Sequence, residues 1–163
     1  MAIRSGSPGT VDPTVRKRAL DLLARREYSR SELARKLTQR GAAPAQVAAV
    51  LDECAAQGLQ SDARFAEALV ASRVRRGQGA LRIRRELAER GVAETLIEAA
   101  LAQAEVDWRA LARDLCRRKY GAEPAADWPE RARRARFLGY RGFDADVIRE
   151  VLAMAAETDG EQP

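Results

Sequence analysis

Three helical patterns in this sequence end in the same way, at LTQRG (37–41), LAERG (87–91) and LGYRG (138–142). They recur after 50 and then 51 residues. A Gly directly after a helix adopts the positive φ that ends it without the steric penalty of a Cβ, and the Arg before it lies beside the unpaired carbonyls of the last turn. The spacing therefore predicts three copies of one helical unit, with a Gly at the same place in each.

A second helix follows each Gly in the same register. After five intervening residues, apolar side chains return at i, i+3, i+4 and i+7, which lays one apolar stripe along a helix. Cys54 takes the last position of the stripe in the first copy, where the other copies have Ala, so we expect it in the core. The stripes are Val47, Val50, Leu51 and Cys54; Ile97, Ala100, Leu101 and Ala104; and Ile148, Val151, Leu152 and Ala155.

The sequence signals for the helix before each Gly are strongest in the first copy. There Ser29 and Glu32 have the spacing of a capping box, in which each side chain bonds the backbone N–H of the other residue. The third copy has Arg134 where the first has Leu33, so Phe137 must contribute to that core from a neighbouring position. The third copy is therefore the divergent one.

A further helix precedes each of these pairs, so each copy is predicted to contain three helices. Asp12, Ser61 and Asp107 suit the N-cap of that helix, although the segment around Asp107 has no strong breaker and could continue as helix. No stretch alternates apolar and polar residues long enough for a strand. The sequence predicts an all-α protein, an extended and curved array of three tandem three-helix repeats at 12–60, 61–106 and 107–156, with disordered tails at 1–11 and 157–163.

The composition argues against catalysis, a metal site and a membrane span. The chain has no His, and Cys54 and Cys116 lie far apart without activating neighbours, so neither a general base nor a ligand set is evident. The start is too polar for a signal peptide, and no apolar run approaches the roughly 20 residues of a membrane helix. We therefore expect a cytoplasmic protein that is not an enzyme and needs no cofactor. Because a curved array with both ends partly polar needs no partner copy, we also expect a monomer.

Arginine dominates the positive charge, supplying 26 of the 29 cations at a formal net charge of +5. Arg forms forked pairs with phosphate or carboxylate, so its clusters fit a phosphate backbone or a nucleoprotein filament, although a solvated face with local ion pairs explains each cluster equally well. Tyr28, Tyr120 and Tyr140 lie near predicted helix ends, where core packing or loop anchoring explains them as well as base stacking. The candidate contacts are Arg25, Arg26, Arg73, Arg75, Arg76, Arg82, Arg85, Arg117, Arg118, Arg133 and Arg134.

Taken together, the order and spacing of these segments resemble the RecX family of bacterial recombination regulators. The likeness covers nearly the whole chain between Val15 and Ala155, and its specificity comes from the agreement of order, spacing and loop content. The segments that carry it are ALDLLARREYSRSELARKLTQRG at 19–41, GLQSDARFAEALVASRVRRGQGALRIRRELAERGV at 58–92 and RARFLGYRGFDADVIREVL at 134–152.

The resemblance implies a protein that binds the RecA recombinase, especially its filament on single-stranded DNA. Proteins of this family are understood to lie in the filament groove and to inhibit recombinase, ATPase and co-protease activities, so modulating recombination, DNA repair and the SOS response. Weak direct DNA binding is a further expectation. The family has no catalytic motif to transfer, so the choice of arginines above comes from charge clustering in this sequence.

Two other functions fit parts of the pattern. Residues 32–51 could form a helix-turn-helix of a DNA-binding repressor, with a Gly at the turn. The presumptive recognition helix, residues 44–54, contains no Arg or Lys to read guanine, which argues against this alternative. A passive scaffold of helical repeats is the third reading, in which the cation clusters have no functional consequence.

Overall fold

The computed structural model describes the backbone of residues 11–157 and the side chains of residues 11–153. Within these limits the chain is all-helical, which confirms the predicted fold class. The predicted tails lie outside the described residues, apart from Val11, which packs against the first core, and Glu157, which ends the last helix. The helices are α1 Pro13–Leu23, α2 Arg30–Gln39, α3 Pro44–Ala56, α4 Asp62–Arg75, α5 Ala80–Glu89, α6 Glu94–Gln103, α7 Trp108–Tyr120, α8 Trp128–Arg141 and α9 Ala145–Glu157.

Side-chain caps begin the helices where the sequence predicts them. Asp12, Ser61 and Asp107 each accept a backbone N–H at the start of α1, α4 and α7. The capping box of α2 is present, since the Ser29 side chain accepts from the Glu32 N–H and the Glu32 carboxylate accepts from the Ser29 N–H. These local bonds satisfy N–H groups that have no partner within the helix.

The three Arg-Gly segments end α2, α5 and α8. Gly41, Gly91 and Gly142 have φ of 88°, 77° and 93°, so each occupies the left-handed region that favours glycine. The segment before α7 does not continue as helix, because Glu105 also takes a positive φ of 46° between α6 and α7. This break separates the second repeat from the third.

Each repeat has its own apolar core, and all closely packed helix pairs lie within one repeat. Cys54 lies in the first core and Cys116 in the third, as free and buried thiols. Trp108 touches both the second and the third core. The molecule is thus a series of three small cores, and contacts at the helix ends join them.

The second helices of the repeats meet end to end. At the first joint, Ser29 Oγ at the start of α2 donates to the Arg90 carbonyl at the end of α5, over 2.7 Å. Arg90 also donates to Glu32 at 2.5 Å. Ser31 packs beside Gly91, where an added Cβ would lie 2.7 Å from the Ser31 Cβ. The first joint is therefore the contact of Ser29, Ser31 and Glu32 with Arg90 and Gly91.

The second joint brings the end of α8 against the start of α5, with backbone N–H groups as donors in place of a side-chain hydroxyl. The Gly79 N–H donates to the Arg141 carbonyl at 2.8 Å, and the Leu81 N–H donates to the Gly142 carbonyl at 3.0 Å. The C-terminal carbonyls of one helix thus bond N–H groups at the start of the next, and the negative end of one helix dipole meets the positive end of another. The order of contact is α8, α5, α2, opposite to the order along the chain.

Candidate functional site

A cleft of about 820 Å³ lies at the second joint, between the second and third repeats. Its lining comes from the end of α4, from α5 and from the C-terminal end of α8. Five arginines and two glutamates give it a net positive charge, and a tyrosine and a leucine add apolar surface. These residues are Arg73, Arg76, Arg82, Arg85, Arg90, Glu86, Glu89, Tyr140 and Leu81.

Two of the five arginines are held by carboxylates. Arg73 donates twice to Glu86, at 2.7 and 2.6 Å, and Arg90 donates to Glu86 at 2.7 Å and to Glu32 across the first joint. The hydrogen bond from Arg73 is the main cause that lowers the pKa of Glu86, and the same bond raises the pKa of Arg73. Arg73 therefore belongs to the internal support of the cleft.

The other three arginines keep their charge available. Arg76, Arg82 and Arg85 are exposed, and none of them forms an ion pair with a described residue. Arg82 donates only to the Tyr140 carbonyl, at 3.3 Å. Three guanidinium groups at one joint can bind an anion of extended shape, such as a run of phosphates or carboxylates.

Tyr140 is the residue that the sequence interpretation missed. Its side chain is 85% exposed and lines the cleft, so it is neither a core residue nor a loop anchor. The repeat alignment could have shown this, because Tyr140 aligns with Gln39 and Glu89, which are polar and exposed. The ring offers a flat apolar surface beside the free arginines.

Gln78 lines the cleft, and its Oε1 is buried away from solvent without a hydrogen-bond partner among the described residues.

The basic surface continues from the cleft across the second joint onto repeat 3. Arg141 donates to the Arg76 carbonyl at 3.0 Å, and its guanidinium carbon lies 5.6 Å from the Phe137 ring. Lys119 lies over the same ring at 4.2 Å. Arg117 and Arg118 are exposed in the same last turn of α7 but do not line the cleft.

The remaining candidate arginines are not brought into the cleft. Arg25 and Arg26 lie in repeat 1, where Arg26 stacks on the Tyr28 ring at 3.7 Å and lies 3.7 Å from Glu32. Arg75 and Arg133 are exposed on α4 and α8 but do not line the cleft.

Arg134 requires a correction, because it is only 4% exposed and cannot serve as a surface contact. Its guanidinium donates to Glu130 at 2.5 Å and to the Glu123 carbonyl at 2.9 Å. It fills the core position that Leu33 and Ile83 fill in the other repeats, with its charge compensated by a neighbour on the same helix.

The side chains of the cleft are suited to binding an anionic partner through their arginines. In the described part of the chain, no helix is both long enough and apolar enough to span a bilayer. The exposed face of α3, which a helix-turn-helix reader would use, carries Pro, Ala, Gln and Asp side chains and no cation. The second joint, by contrast, presents the exposed arginines Arg76, Arg82 and Arg85.

Comparison with known proteins identifies all three repeats. Family models described as the first, second and third three-helix domains of RecX match residues 16–54, 61–101 and 105–152. Together they cover most of the chain and follow the order of the three structural repeats.

Full-length relatives and solved structures agree with this assignment. The chain is 50% identical over 155 residues to the regulatory protein RecX of Halorhodospira halophila, covering 95% of this chain and 96% of that protein. It is 49% identical over 148 residues to that of Chromohalobacter salexigens, covering 91% and 97%. The crystal structure of RecX from Lactobacillus salivarius shares the fold, with a TM-score of 0.76 at 18% identity over 88% of this chain and 96% of that one. The chain belongs to the RecX family of regulatory proteins.

Proposed function

We propose that this protein binds RecA and its filament on single-stranded DNA and inhibits the recombinase, ATPase and co-protease activities of RecA. It thereby modulates recombination, DNA repair and the SOS response, without a catalytic reaction or a cofactor of its own. Membership of a family of regulatory proteins supports the regulatory role. The carrying observation is the cleft at the second joint, where three free cations of the second repeat lie beside Tyr140 of the third.

The cleft supplies the contacts that a filament surface requires. Arg76, Arg82 and Arg85 form forked hydrogen bonds to phosphates of the DNA strand or to carboxylates of RecA. Each phosphate that they neutralise releases counterions, which makes binding weaker as salt rises. Arg25, Arg26, Arg75, Arg117, Arg118 and Arg133 lie outside the cleft lining and stay separate predicted contacts.

Binding across a joint also gives a means of inhibition. A contact made by α5 and α8 together places two repeats on the filament at once, so the protein restrains filament parts that must move during growth and ATP turnover. Inhibition then follows from occupancy alone, and it requires no chemistry at the cleft. The protein inhibits by staying bound to the filament, and its affinity for the filament depends on charge.

The decisive experiment adds the protein to preassembled RecA filaments and follows ATP hydrolysis and filament length. The site variant carries Arg76→Glu, Arg82→Glu and Arg85→Glu. We expect it to inhibit at least about tenfold more weakly, and the salt dependence of binding to fall by about two to three in the log–log slope.

The matched control carries the same charge change elsewhere, at Arg35→Glu, Arg113→Glu and Arg136→Glu, which are exposed, form no ion pair with a described residue and line no part of the cleft. The control should inhibit as the wild type does. Loss of inhibition in both variants would point to net charge and would remove the cleft from the proposal. A wild-type protein without effect at saturation would overturn the function itself.

A further inference from the structure

Tyr140 presents an uncovered aromatic ring to the cleft. The other two tyrosines have their rings covered, since Arg26 stacks on Tyr28 at 3.7 Å and Tyr120 packs edge-on against Phe137 at 5.7 Å. Among the residues that the structure describes, no ring and no cation lies over Tyr140, although five arginines line the same cleft. The face of this ring is therefore available to a partner.

The chain around Tyr140 keeps its ring open and places a cation next to it. Gly139 and Gly142 line the same cleft and carry no side chain that could cover the ring. The Arg82 guanidinium donates to the Tyr140 carbonyl at 3.3 Å, so it lies at the residue that carries the ring. Leu81, which is also exposed, adds apolar surface to the lining. A flat ring and a free charge thus occur side by side.

The free cations of the cleft are arranged to engage more than one anionic group. Arg82 and Arg85 are one turn apart on α5, which places their Cβ atoms about 5–6 Å apart, and Arg76 caps the end of α4. All three are exposed and form no ion pair within the described part of the chain. Each guanidinium can donate a forked pair of hydrogen bonds to a phosphate. Successive phosphates of one strand can therefore be bound together.

The combination favours a nucleic acid strand over an acidic protein surface. An acidic protein segment supplies carboxylates for the arginines but brings no aromatic group with each of them. Every nucleotide, by contrast, brings a phosphate together with a base that stacks on aromatic side chains. The base must be unpaired, because the bases of a duplex are stacked on one another and out of reach.

We propose that the cleft is a single-strand subsite, in which the Tyr140 ring stacks on one unpaired base and Arg76, Arg82 and Arg85 bind the adjacent phosphates. This inference rests on the proposed function and narrows it, since the partner at the cleft is the DNA strand of the filament and not the carboxylates of RecA. The ring confers the preference for single strands, and the arginines confer the affinity. All bases have a π face, so the subsite is tolerant of sequence.

Fluorescence anisotropy of a labelled oligothymidylate, without RecA, tests the role of the ring. Tyr140→Ala should weaken binding about tenfold, as expected for the loss of one stacked base, and Tyr140→Phe should bind as the wild type does. The salt dependence of binding should stay unchanged in both variants, because neither loses a phosphate contact. The control is Trp128→Ala, which removes another strongly exposed ring of α8 that does not line the cleft. An equal loss in this control would contradict the proposal.

An abasic strand of the same length separates the ring from the charges, because it keeps the phosphates and lacks the bases. The wild type should bind it about tenfold more weakly than oligothymidylate, whereas Tyr140→Ala should bind the two strands alike. Equal affinity of the wild type for both strands would overturn the proposal.

Three competitors then identify the source of the anion. Duplex DNA, thymidine triphosphate and polyglutamate, at equal charge, should each displace the labelled strand less well than unlabelled oligothymidylate does. Equal displacement by any of them would overturn the proposal, and would assign the cleft to phosphates alone, to free nucleotides or to acidic protein surfaces, respectively. A protein that inhibits RecA filaments but does not bind the strand would overturn this inference and leave the proposed function standing.

Discussion

Arg134 shows how a cation is accommodated in a core position. Three of its guanidinium nitrogens donate, to Glu130 and to the Glu123 carbonyl, and its guanidinium carbon lies 5.3 Å from the Tyr120 ring. Burial of a charge is costly unless such partners compensate it. The position nevertheless remains a packing position, because the equivalent residues Leu33 and Ile83 are apolar and fully buried.

This gives a prediction for two substitutions at one position. Arg134→Leu restores the apolar residue of the first repeat and should change the free energy of unfolding by less than about 1.5 kcal/mol. Arg134→Ala leaves a cavity and should lower that free energy by about 3 kcal/mol. Urea unfolding measures both. If the two variants lose the same stability, the ion pair rather than side-chain volume supports this core.

The two thiols give a second prediction at the residue scale. Desolvation by burial is the main cause that raises the pKa of both Cys54 and Cys116, so the thiolate forms only at higher pH than in an exposed cysteine. A disulfide-exchange reagent at pH 8 should react with the folded chain at least about 100-fold more slowly than with the chain in denaturant. Rapid reaction of one thiol under native conditions would show that its repeat opens locally.

Which arginines are free could not be predicted from the sequence. Arg73 and Glu86 lie on different helices, and Arg90 meets Glu32 only because two repeats join, so no local spacing identifies these pairs. Tyr140 differs, since its alignment with polar residues in the other repeats was sufficient to predict exposure. Position in the repeat therefore predicts burial, whereas pairing of charges depends on how repeats pack.

At the scale of the helix, the caps and ends were predictable because their determinants are local. Ser29 with Glu32 and the glycines after α2, α5 and α8 act within one turn, so their spacing in the sequence is enough. The joints were not predictable, since Gly41 and Gly91 follow the same Leu-x-x-Arg pattern, yet a Cβ at Gly41 meets nothing within 4 Å in the described part of the chain. Gly41 is therefore needed only for its positive φ, whereas Gly91 and Gly142 are needed both for a positive φ and for the space that the start of the next helix occupies.

Matched Gly→Ala substitutions separate these roles. Gly41→Ala carries only the cost of a left-handed Ala and should lower the free energy of unfolding by about 1–2 kcal/mol. Gly91→Ala adds a clash with Ser31, which should cost a further 1–3 kcal/mol or so. Adding Ser31→Gly should remove most of the extra cost. Equal effects of the two Ala variants in urea unfolding would contradict the joint contact.

The carboxylate that holds Arg73 and Arg90 makes the α4–α5 pair sensitive to acid. Arg73 lowers the pKa of Glu86 below its ordinary 4.5, so the folded state favours the ionised form. This stabilisation is present above the ordinary pKa and is lost as pH falls through the lowered value. Glu86→Gln should therefore lower the free energy of unfolding by about 2 kcal/mol at pH 7, and by progressively less below about pH 4.5.

Urea unfolding at a series of pH values measures this difference. Glu89→Gln is the control, because Glu89 is exposed on the same helix and has no ion pair among the described residues. It should leave stability within about 0.5 kcal/mol of the wild type at every pH. A Glu86→Gln deficit that stays constant down to pH 3 would assign the effect to packing rather than to charge.

At the scale of the molecule, three small cores depend on two joints for their coupling. Repeat arrays of this kind are stabilised by each unit and by nearest-neighbour contacts, so a change at one joint should weaken the adjacent terminal repeat selectively. The joints differ in composition: side chains dominate the first, where Arg90 bridges Glu32 and Glu86, and backbone hydrogen bonds dominate the second. The two ends of the array can therefore be loosened independently.

Hydrogen exchange resolves this coupling repeat by repeat. Arg90→Ala removes the bridge of the first joint, so amide exchange in α1–α3 should become about tenfold faster, equivalent to about 1.4 kcal/mol, while α7–α9 change little. Arg141→Ala removes the contact of its guanidinium with the Arg76 carbonyl and should accelerate exchange in α7–α9 instead. The two variants are thus each other's control. Equal acceleration in all three repeats for either one would show a single cooperative unit, because a fully coupled array opens as a whole and cannot lose one end first.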